Sequence, residues 1–268
     1  MTAFENLVHI IKTLRHPETG CPWDKKQTSA SLIPNFIEEV YEAVEAIEDK
    51  NYNDLCEELG DVMLHIIFQI QLAEEQNKFT LDDVMQKICD KLITRHPHIF
   101  GDLKVKDEAE VKQNWELIKL SEKKKSRKSV LDGIPKNMPA LIQASRIQEK
   151  AAHIGFDWDT YEPVLDKIYE EIEEVKAEIA ISLHGKGSIP NSEFLTPNLE
   201  MELGDLFFAV VNLSRKLKID SESALRKSNQ KFKDRFQKLE SLCEKENINM
   251  NEVGLEKLDE LWEFIKKT

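Results

Sequence analysis

Two parts of the chain carry the same spacing of acidic residues. The first reads EEVYE and then EELGD, and the second reads EEIEE and then MELGD. Carboxylates three or four positions apart lie on one face of a helix, so each part predicts an acidic cluster shared between two helices. Oxygen ligands gathered in this way suit Mg²⁺ or Mn²⁺. The acidic positions are Glu38, Glu39, Glu42, Glu58 and Asp61 in the first part, and Glu170, Glu171, Glu174, Glu202 and Asp205 in the second.

Three other blocks recur in the same order around these acids. Residues 20–24 (GCPWD) return as residues 155–159 (GFDWD), upstream of each acidic helix. A Lys/Arg pair and a WExIK block recur downstream, and their residues are Lys91, Arg95 and Trp115 in the first copy and Lys231, Arg235 and Trp262 in the second. Four blocks in one order indicate a tandem duplication of one domain, with a repeat far longer than those of solenoids.

A boundary between the two copies falls in a basic segment that is followed by glycine and proline. Residues 121–139 read SEKKKSRKSVLDGIPKNMP, and such an interruption of the helical pattern is typical of a solvated linker. We therefore predict a first domain over residues 1–120, a linker over residues 121–139 and a second domain over residues 140–268.

The charge and the apolar segments of the chain limit its partners. The 268 residues are enough to bury two cores, and the formal net charge is -13. This charge predicts that the chain binds neither nucleic acid nor an anionic membrane. The most apolar run, residues 62–70, is too short to span a bilayer, and the N-terminus does not resemble a signal peptide. The four cysteines lack zinc-like spacing, which favours reduced thiols. We expect a cytoplasmic protein.

The hydrophobic pattern is helical almost throughout the chain. Residues 37–48 place apolar side chains on one helical face and acids on the opposite face. The apolar positions are Ile37, Val40, Val44 and Ile47, and the acids opposite them are Glu38, Glu42 and Glu45. Residues 55–73 form a helix that is apolar nearly all round its middle turns, which predicts burial between other helices. Residues 168–183 and 199–217 repeat the pair. Strand signals are confined to isolated short runs, so we predict an all-α fold.

The second helix of each pair favours a metal site over a solvated acidic face. Acids opposite an apolar stripe are typical of any solvated helix, but Glu58 and Asp61 precede an apolar run, where an unpaired carboxylate is costly. Each ELGD block also contains a glycine, Gly60 or Gly204. Glycine in a helix costs up to about 1 kcal/mol relative to alanine, and it predicts close approach of another backbone or of a ligand. A divalent ion held between the helices explains both features.

The other repeated residues fit a nucleotide beside such an ion. A lysine and an arginine one turn apart can contact phosphate oxygens, and a tryptophan can stack on a base. Taken singly, these residues could form a solvated face and a core aromatic; their recurrence with the acids favours a nucleotide site. His65 lies one turn after Asp61, but the second copy has Ala209 there. A core histidine is therefore a better interpretation of His65 than a metal ligand.

The combined motifs resemble those of the MazG family of tandem-domain nucleoside triphosphate pyrophosphohydrolases. The motifs are EExxE followed by ExxD, with GCPWD, RHPHIFGD and WExIK, and the resemblance covers essentially the whole chain. It implies a four-helix-bundle type domain in each half and a homodimer. It also implies Mg²⁺-dependent hydrolysis of nucleoside and deoxynucleoside triphosphates to the monophosphate and pyrophosphate, with broad specificity.

The resemblance also assigns roles to individual residues. The nucleotide contacts that it implies are Lys231, Arg235 and Trp262 in the second copy, and Lys91, Arg95 and Trp115 in the first. The metal ligands that it implies are Glu171, Glu174, Glu202 and Asp205 in the second copy, and Glu39, Glu42, Glu58 and Asp61 in the first. The candidate catalytic carboxylates are Glu170 and Glu171 in the second copy, and Glu38 and Glu57 in the first.

The second copy departs from the family pattern at two positions. It has Met201 where the family often has a further glutamate and Asn198 where the family has a lysine, whereas the first copy keeps Glu57. Because the family places activity mainly in the second domain, the sequence leaves open which domain is active. As a hypothesis, a carboxylate such as Glu170 activates a water that attacks the α-phosphorus, and pyrophosphate leaves. The alternative is a non-catalytic helical nucleotide-binding or scaffold protein.

Overall fold

The computed structural model describes residues 1–108, 110–111, 114–115, 118, 122, 129–182 and 197–267. These residues form helices, turns and loops, and no strand occurs among them. The predicted all-α class is confirmed. The chain divides into two compact units, Met1–Glu122 and Lys123–Thr268. Part of the predicted linker lies outside the described residues; residues 129–139 form turns and loops, and the linker limits stay a prediction.

Within residues 1–100, the first unit contains four main helices and two short ones. They are α1 (Ala3–Leu14), α2 (Pro22–Lys26), α3 (Ile33–Glu48), α4 (Tyr52–Glu75), α5 (Leu81–Arg95) and α6 (Pro97–Phe100). Only three residues separate α3 from α4, so the two helices form a hairpin and pack along one another. Helix α4 also packs against α1 and α5, which places it at the centre of the unit.

Local sequence signals explain where these helices begin. Thr2 and Glu5 form a capping box at α1, and Thr80 and Asp83 form one at α5. Asn51 caps α4 by accepting hydrogen bonds from the backbone N–H groups of residues 53 and 54. These signals fix the starts of α1, α4 and α5 independently of packing.

The core of the first unit lies between α1, α4 and the loop before α3. Its buried members are Ile11, Leu32, Ile67, Phe68, Ile70 and Leu72. The predicted burial of the apolar run in α4 is confirmed for these α4 residues and is wrong for Met63 and Ile66, which are 39% and 37% exposed. Other helices of the unit cover only part of the surface of α4, and Met63 and Ile66 face away from them.

The second unit repeats this arrangement. Its helices are α7 (Ala140–Ala152), α8 (Glu162–Ser182), α9 (Pro197–Lys216), α10 (Ser221–Lys245) and α11 (Gly254–Lys267). Helices α8 and α9 pack along one another as α3 and α4 do, and α7 packs against α9 and α10. A separate apolar cluster joins α10 to α11, with Leu239, Cys243, Leu261 and Ile265 buried. The long connection between α8 and α9, residues 183–196, lies outside the described residues.

Helix α3 has the predicted apolar face but does not bury it within the unit. Ile37, Val40 and Ile47 are 51%, 42% and 57% exposed, whereas Ala43 and Ala46 are each 6% exposed. The small alanine side chains let α3 approach another helix closely, which is how the α3/α4 hairpin packs. The apolar face of α3 therefore remains on the surface of the chain.

Candidate metal centre

The α3/α4 hairpin brings three acids of the first copy together. Glu39 on α3 and Glu58 and Asp61 on α4 each offer a carboxylate oxygen, and these oxygens all lie within 4.8 Å of one another. All three residues are half-buried. Glu39 faces α4 because it lies on the alanine side of α3, four residues before Ala43 and seven before Ala46 in a continuous helix. The predicted sharing of acids between two helices is thus observed.

Desolvation and crowding of negative charge raise the pKa of two acids in this first cluster. Desolvation raises the pKa of Glu39, and the charges of Asp61 and Glu42 raise it further. Desolvation also raises the pKa of Glu58, with added contributions from Glu42 and Asp61. Glu42 hydrogen bonds to both residues, so it belongs to the cluster although its own side chain is exposed. A divalent cation would offset this excess negative charge.

His65 lies beneath the first cluster as a buried residue. It is 8% exposed and its ring stacks on Phe36 with centroids 5.7 Å apart. Its Nε2 is 4.0 Å from Glu39 Oε1, and burial lowers its pKa despite the opposing charge of Asp61. His65 is not one of the three residues whose side chains could together hold an ion in this cluster. The interpretation as a core histidine is confirmed by this burial.

The α8/α9 hairpin forms the second cluster at the repeated positions. Oxygens of Glu171, Glu202 and Asp205 all lie within 4.8 Å of one another. The side chain of Glu171 is 5% exposed, and its Oε2 has no hydrogen-bond partner among the described residues. Desolvation raises the pKa of Glu174, and the neighbouring carboxylate of Glu171 raises it further. A buried carboxylate oxygen that is aimed into an acidic cluster and lacks a donor fits a cation ligand.

Lys167 distinguishes the second cluster from the first, and sequence reasoning missed it. Its Nζ lies 2.7 Å from Glu171 Oε1 and 2.8 Å from Glu170 Oε1. Hydrogen bonds to Glu170 and then to Glu171 raise the pKa of Lys167, so its ammonium is charged at neutral pH. Asn35 takes this place in the first copy, four residues before Glu39. The spacing of a lysine three and four residues before glutamates was a usable signal.

The candidate catalytic carboxylates lie at different depths. Glu170 is 57% exposed at its side chain and paired with Lys167, whereas Glu171 is buried. Glu38 and Glu57 are exposed. Glu57 is near enough to Glu58 for its charge to raise the pKa of Glu58. Each cluster therefore has an accessible acid next to its metal-ligand candidates.

In the second unit, the candidate nucleotide contacts lie on the helices that follow the cluster. Lys231 and Arg235 lie on α10, and Trp262 lies on α11. Lys231 is exposed and Arg235 is half-buried. The Trp262 ring is 5.1 Å from that of Phe232 and packs on the α10/α11 core. Helix α10 packs against α9, which carries Glu202 and Asp205.

The corresponding residues of the first unit have different surroundings. Arg95 is 6% exposed, and its Nε and Nη2 donate to Glu122 at 3.2 and 2.5 Å. Its guanidinium also lies 5.5 Å from the centre of the Trp115 ring. Lys91 is exposed. The structure thus joins Arg95 and Trp115 to one another within the unit, and a nucleotide contact by them stays a prediction.

The expected close approach at the two helical glycines is not found within the described residues. A methyl group added at Gly60 or at Gly204 would meet no atom within 4 Å. Both glycines are exposed, so no neighbouring part of the described chain explains them. They adjoin exposed apolar side chains at Leu59 and Leu203, which are 53% and 42% exposed.

A family comparison agrees with the repeated hairpins. The MazG nucleotide pyrophosphohydrolase domain matches the chain twice, over residues 27–100 and 159–239. The chain belongs to the MazG family. Each match contains one acidic cluster and one Lys/Arg pair, so the predicted tandem arrangement is confirmed. Trp115 and Trp262 lie outside the two matched spans.

Three relatives of this MazG chain illustrate the extent of the similarity. The nucleoside triphosphate pyrophosphohydrolase of Escherichia coli strain K12 is 41% identical over 268 residues, which cover 100% of this chain and 98% of the relative. The nucleoside triphosphate pyrophosphohydrolase/pyrophosphatase MazG of Thermotoga maritima is 47% identical over 263 residues, which cover 98% of this chain and 95% of the relative. The uncharacterised protein YabN of Bacillus subtilis is 42% identical over 265 residues, which cover 99% of this chain and 52% of the relative.

None of the helices that the structure describes combines the length and the hydropathy that a membrane span requires.

Proposed function

We propose that this MazG chain hydrolyses nucleoside and deoxynucleoside triphosphates to the monophosphate and pyrophosphate, with broad specificity. The required divalent ion is Mg²⁺, for which Mn²⁺ can substitute. The observation that carries this proposal is the pair of three-carboxylate groups at repeated positions on two helical hairpins. The names of the E. coli and T. maritima relatives support the same reaction.

The residues present fit a hard divalent cation. The donor set consists of carboxylate oxygens, which Mg²⁺ and Mn²⁺ prefer, and the buried Glu171 Oε2 lacks a partner among the described residues. When bound, the ion would supply positive charge to the triphosphate and increase the acidity of a nearby water. The residues that would hold it are Glu171, Glu174, Glu202 and Asp205 in the second unit, and Glu39, Glu42, Glu58 and Asp61 in the first.

Other residues of the chain bind the substrate and move the proton. Arg235 can hold two phosphate oxygens at once and Lys231 can bind another, while Trp262 supports the base. Glu170, exposed and held by Lys167 at 2.8 Å, accepts the proton of the attacking water. A bond forms between the water oxygen and the α-phosphorus, the bond to the bridging oxygen breaks, and pyrophosphate leaves.

The second unit carries most of the turnover in this proposal. Arg95 of the first unit is buried against Glu122, whereas Arg235 of the second unit is half-buried on α10. A guanidinium already satisfied by a carboxylate is less available to a phosphate. The first unit keeps Glu57 and a complete acidic cluster, and we assign to it a second divalent-ion site.

Separate variants of the two clusters test this function. In Glu202→Gln we expect the rate of pyrophosphate release to fall by about 100-fold, and in Glu58→Gln we expect a much smaller loss. Products are separated by anion-exchange chromatography with Mg²⁺ present. Release of inorganic phosphate together with the nucleoside diphosphate would overturn the proposed reaction. Lack of Mg²⁺-dependent turnover in the wild-type chain would favour the scaffold alternative, which the departures at Met201 and Asn198 support. Full turnover in both variants would show that neither cluster carries the activity.

We also propose that the chain works as a cytoplasmic homodimer. Each unit exposes a matched apolar stripe, formed by Leu59, Met63 and Ile66 on α4 and by Leu203, Phe207 and Val210 on α9; these side chains are 37–57% exposed. Large contiguous apolar surfaces in a soluble chain mark protein interfaces. The four cysteines are free thiols, which supports a reducing compartment.

A further inference from the structure

Lys167 places a positive charge inside the second acidic cluster. Its ammonium lies 2.7 Å from the carboxylate of Glu171, whose side chain is only 5% exposed. An ion pair with such a shielded partner is screened by solvent far less than a surface pair. Lys167 itself is 36% exposed at its side chain and also contacts Glu170, so it can turn away from Glu171 without losing its own partner.

The first cluster has no equivalent positive charge at the repeated position. Asn35 takes the place of Lys167 on α3, and its amide is neutral. His65 Nε2 lies 4.0 Å from Glu39 Oε1. The two clusters therefore present the same three-carboxylate group with different neighbouring charge.

We propose that Lys167 competes with the divalent cation for Glu171 and makes the second cluster the weaker of the two divalent-cation sites. This inference rests on the proposed metal function of both clusters. In the metal-free chain the ammonium neutralises the buried carboxylate, and binding of a cation requires that this ion pair be broken or shared. The first cluster needs no such step, because Asn35 carries no charge.

The difference between the clusters is measured as Mn²⁺ affinity on the full chain. Glu58→Gln with Asp61→Asn removes two ligands of the first cluster, and Glu202→Gln with Asp205→Asn removes two ligands of the second. Each double variant leaves one cluster intact, and isothermal titration calorimetry or the electron paramagnetic resonance signal of free Mn²⁺ then reports its dissociation constant. We expect tighter Mn²⁺ binding by the chain that retains the first cluster.

Reciprocal exchange of the two residues isolates the effect of the lysine. In the chain that retains the second cluster, Lys167→Asn is expected to tighten Mn²⁺ binding by about threefold to tenfold. In the chain that retains the first cluster, Asn35→Lys is expected to weaken binding by a similar factor. Lys176→Asn serves as a control, because Lys176 is on the same helix but pairs with exposed Glu173.

Thermal unfolding without Mn²⁺ gives a readout independent of the titration. Lys167→Asn leaves Glu171 buried without its counter-ion, so its unfolding midpoint should fall without Mn²⁺ and recover when Mn²⁺ is added. A lysine that only stabilises α8 would lower the midpoint without tightening Mn²⁺ binding.

Two results would overturn the proposal in distinguishable ways. Unchanged or weaker Mn²⁺ binding after Lys167→Asn, in a chain whose second cluster does bind Mn²⁺, would reject the role of Lys167 alone. If neither cluster binds Mn²⁺ when it is the intact one, the metal function is rejected and this inference with it. If Lys167→Asn does not fold, Asn35→Lys still tests the effect of the lysine on Mn²⁺ binding, because Asn35 is exposed and tolerates substitution.

Discussion

Arg95 and Arg235 occupy the same position of the repeat but have different surroundings. Arg95 is buried between Glu122 and the ring of Trp115. A hydrogen bond from Lys266 is the main cause that lowers the pKa of Glu263, and the charge of half-buried Arg235 lowers it further. Sequence spacing predicted an identical role for the two arginines. The surroundings of Arg95 could not be predicted, because Glu122 lies 27 residues away in sequence, where no spacing rule points to it.

Lysine substitutions at the two arginines should therefore affect different properties, stability at Arg95 and activity at Arg235. Arg95→Lys loses the two-pronged contact with Glu122 and should lower the free energy of unfolding by about 1–3 kcal/mol, with little change in kcat/KM. Arg235→Lys should lower kcat/KM by about tenfold and leave stability nearly unchanged. Thermal unfolding and initial-rate kinetics of both variants check this. An equal loss of kcat/KM in both variants would contradict it.

The acidic clusters could be predicted from sequence because helical periodicity decides which acids share a face. The spacing of Glu171, Glu202 and Asp205 predicts that these three side chains lie together between the two helices. It does not predict the angle at which the helices pack. The depth of Glu171 could not be predicted, since burial depends on which helices cover α8. The pairing of Lys167 with Glu171 is a local, four-residue contact, and the same periodicity could have revealed it.

At the scale of elements, the loop before α8 is held to the end of α9 by charge. Asp157 accepts hydrogen bonds from Arg215 and Lys216 at 2.6 and 2.8 Å. Burial opposes ionisation of Asp157, but these hydrogen bonds outweigh it and hold its pKa below the usual value of 3.8. Asp157 belongs to the repeated GFDWD block, so one function of this block is to fix the end of the helical hairpin.

Asp157→Asn should destabilise the chain in a pH-dependent manner. At pH 7 we expect a loss of about 1–3 kcal/mol. Because the folded-state pKa is lowered, the stabilisation is present above the unfolded-state pKa and is lost as the pH falls through the folded-state pKa. The difference between wild type and variant should therefore shrink as the pH falls below 3.8. Denaturant unfolding across this range, followed by circular dichroism, measures it.

A surface ion pair provides the control for Asp157. Glu260 pairs with Lys257, but its side chain is 69% exposed. Glu260→Gln should cost less than about 1 kcal/mol. A pH-independent loss in Asp157→Asn, or an equal loss in Glu260→Gln, would show that the ion pairs of Asp157 do not hold the loop.

At the scale of the whole molecule, the duplication is most visible on the surface. Leu59, Met63 and Ile66 recur as Leu203, Phe207 and Val210, each with the same spacing along its helix. The sequence pattern marked these residues as apolar and predicted their burial. One chain does not supply that burial within either unit, because the remaining helices of each unit cover another side of α4 and α9. An amphipathic pattern identifies an apolar face but not the molecule that covers it.

A second copy of the chain is the cover that we propose, and glutamate substitutions test it. Met63→Glu and Phe207→Glu place a charge in the middle of each stripe, where a dimer would have to desolvate it. Wild type should have twice the chain mass at micromolar concentration in analytical ultracentrifugation, and the double variant should have the mass of one chain. Leu255→Glu, at an 82% exposed position on α11, should leave the mass unchanged. A wild-type chain that is monomeric throughout, or a double variant that keeps twice the mass, would contradict a dimer built on these stripes.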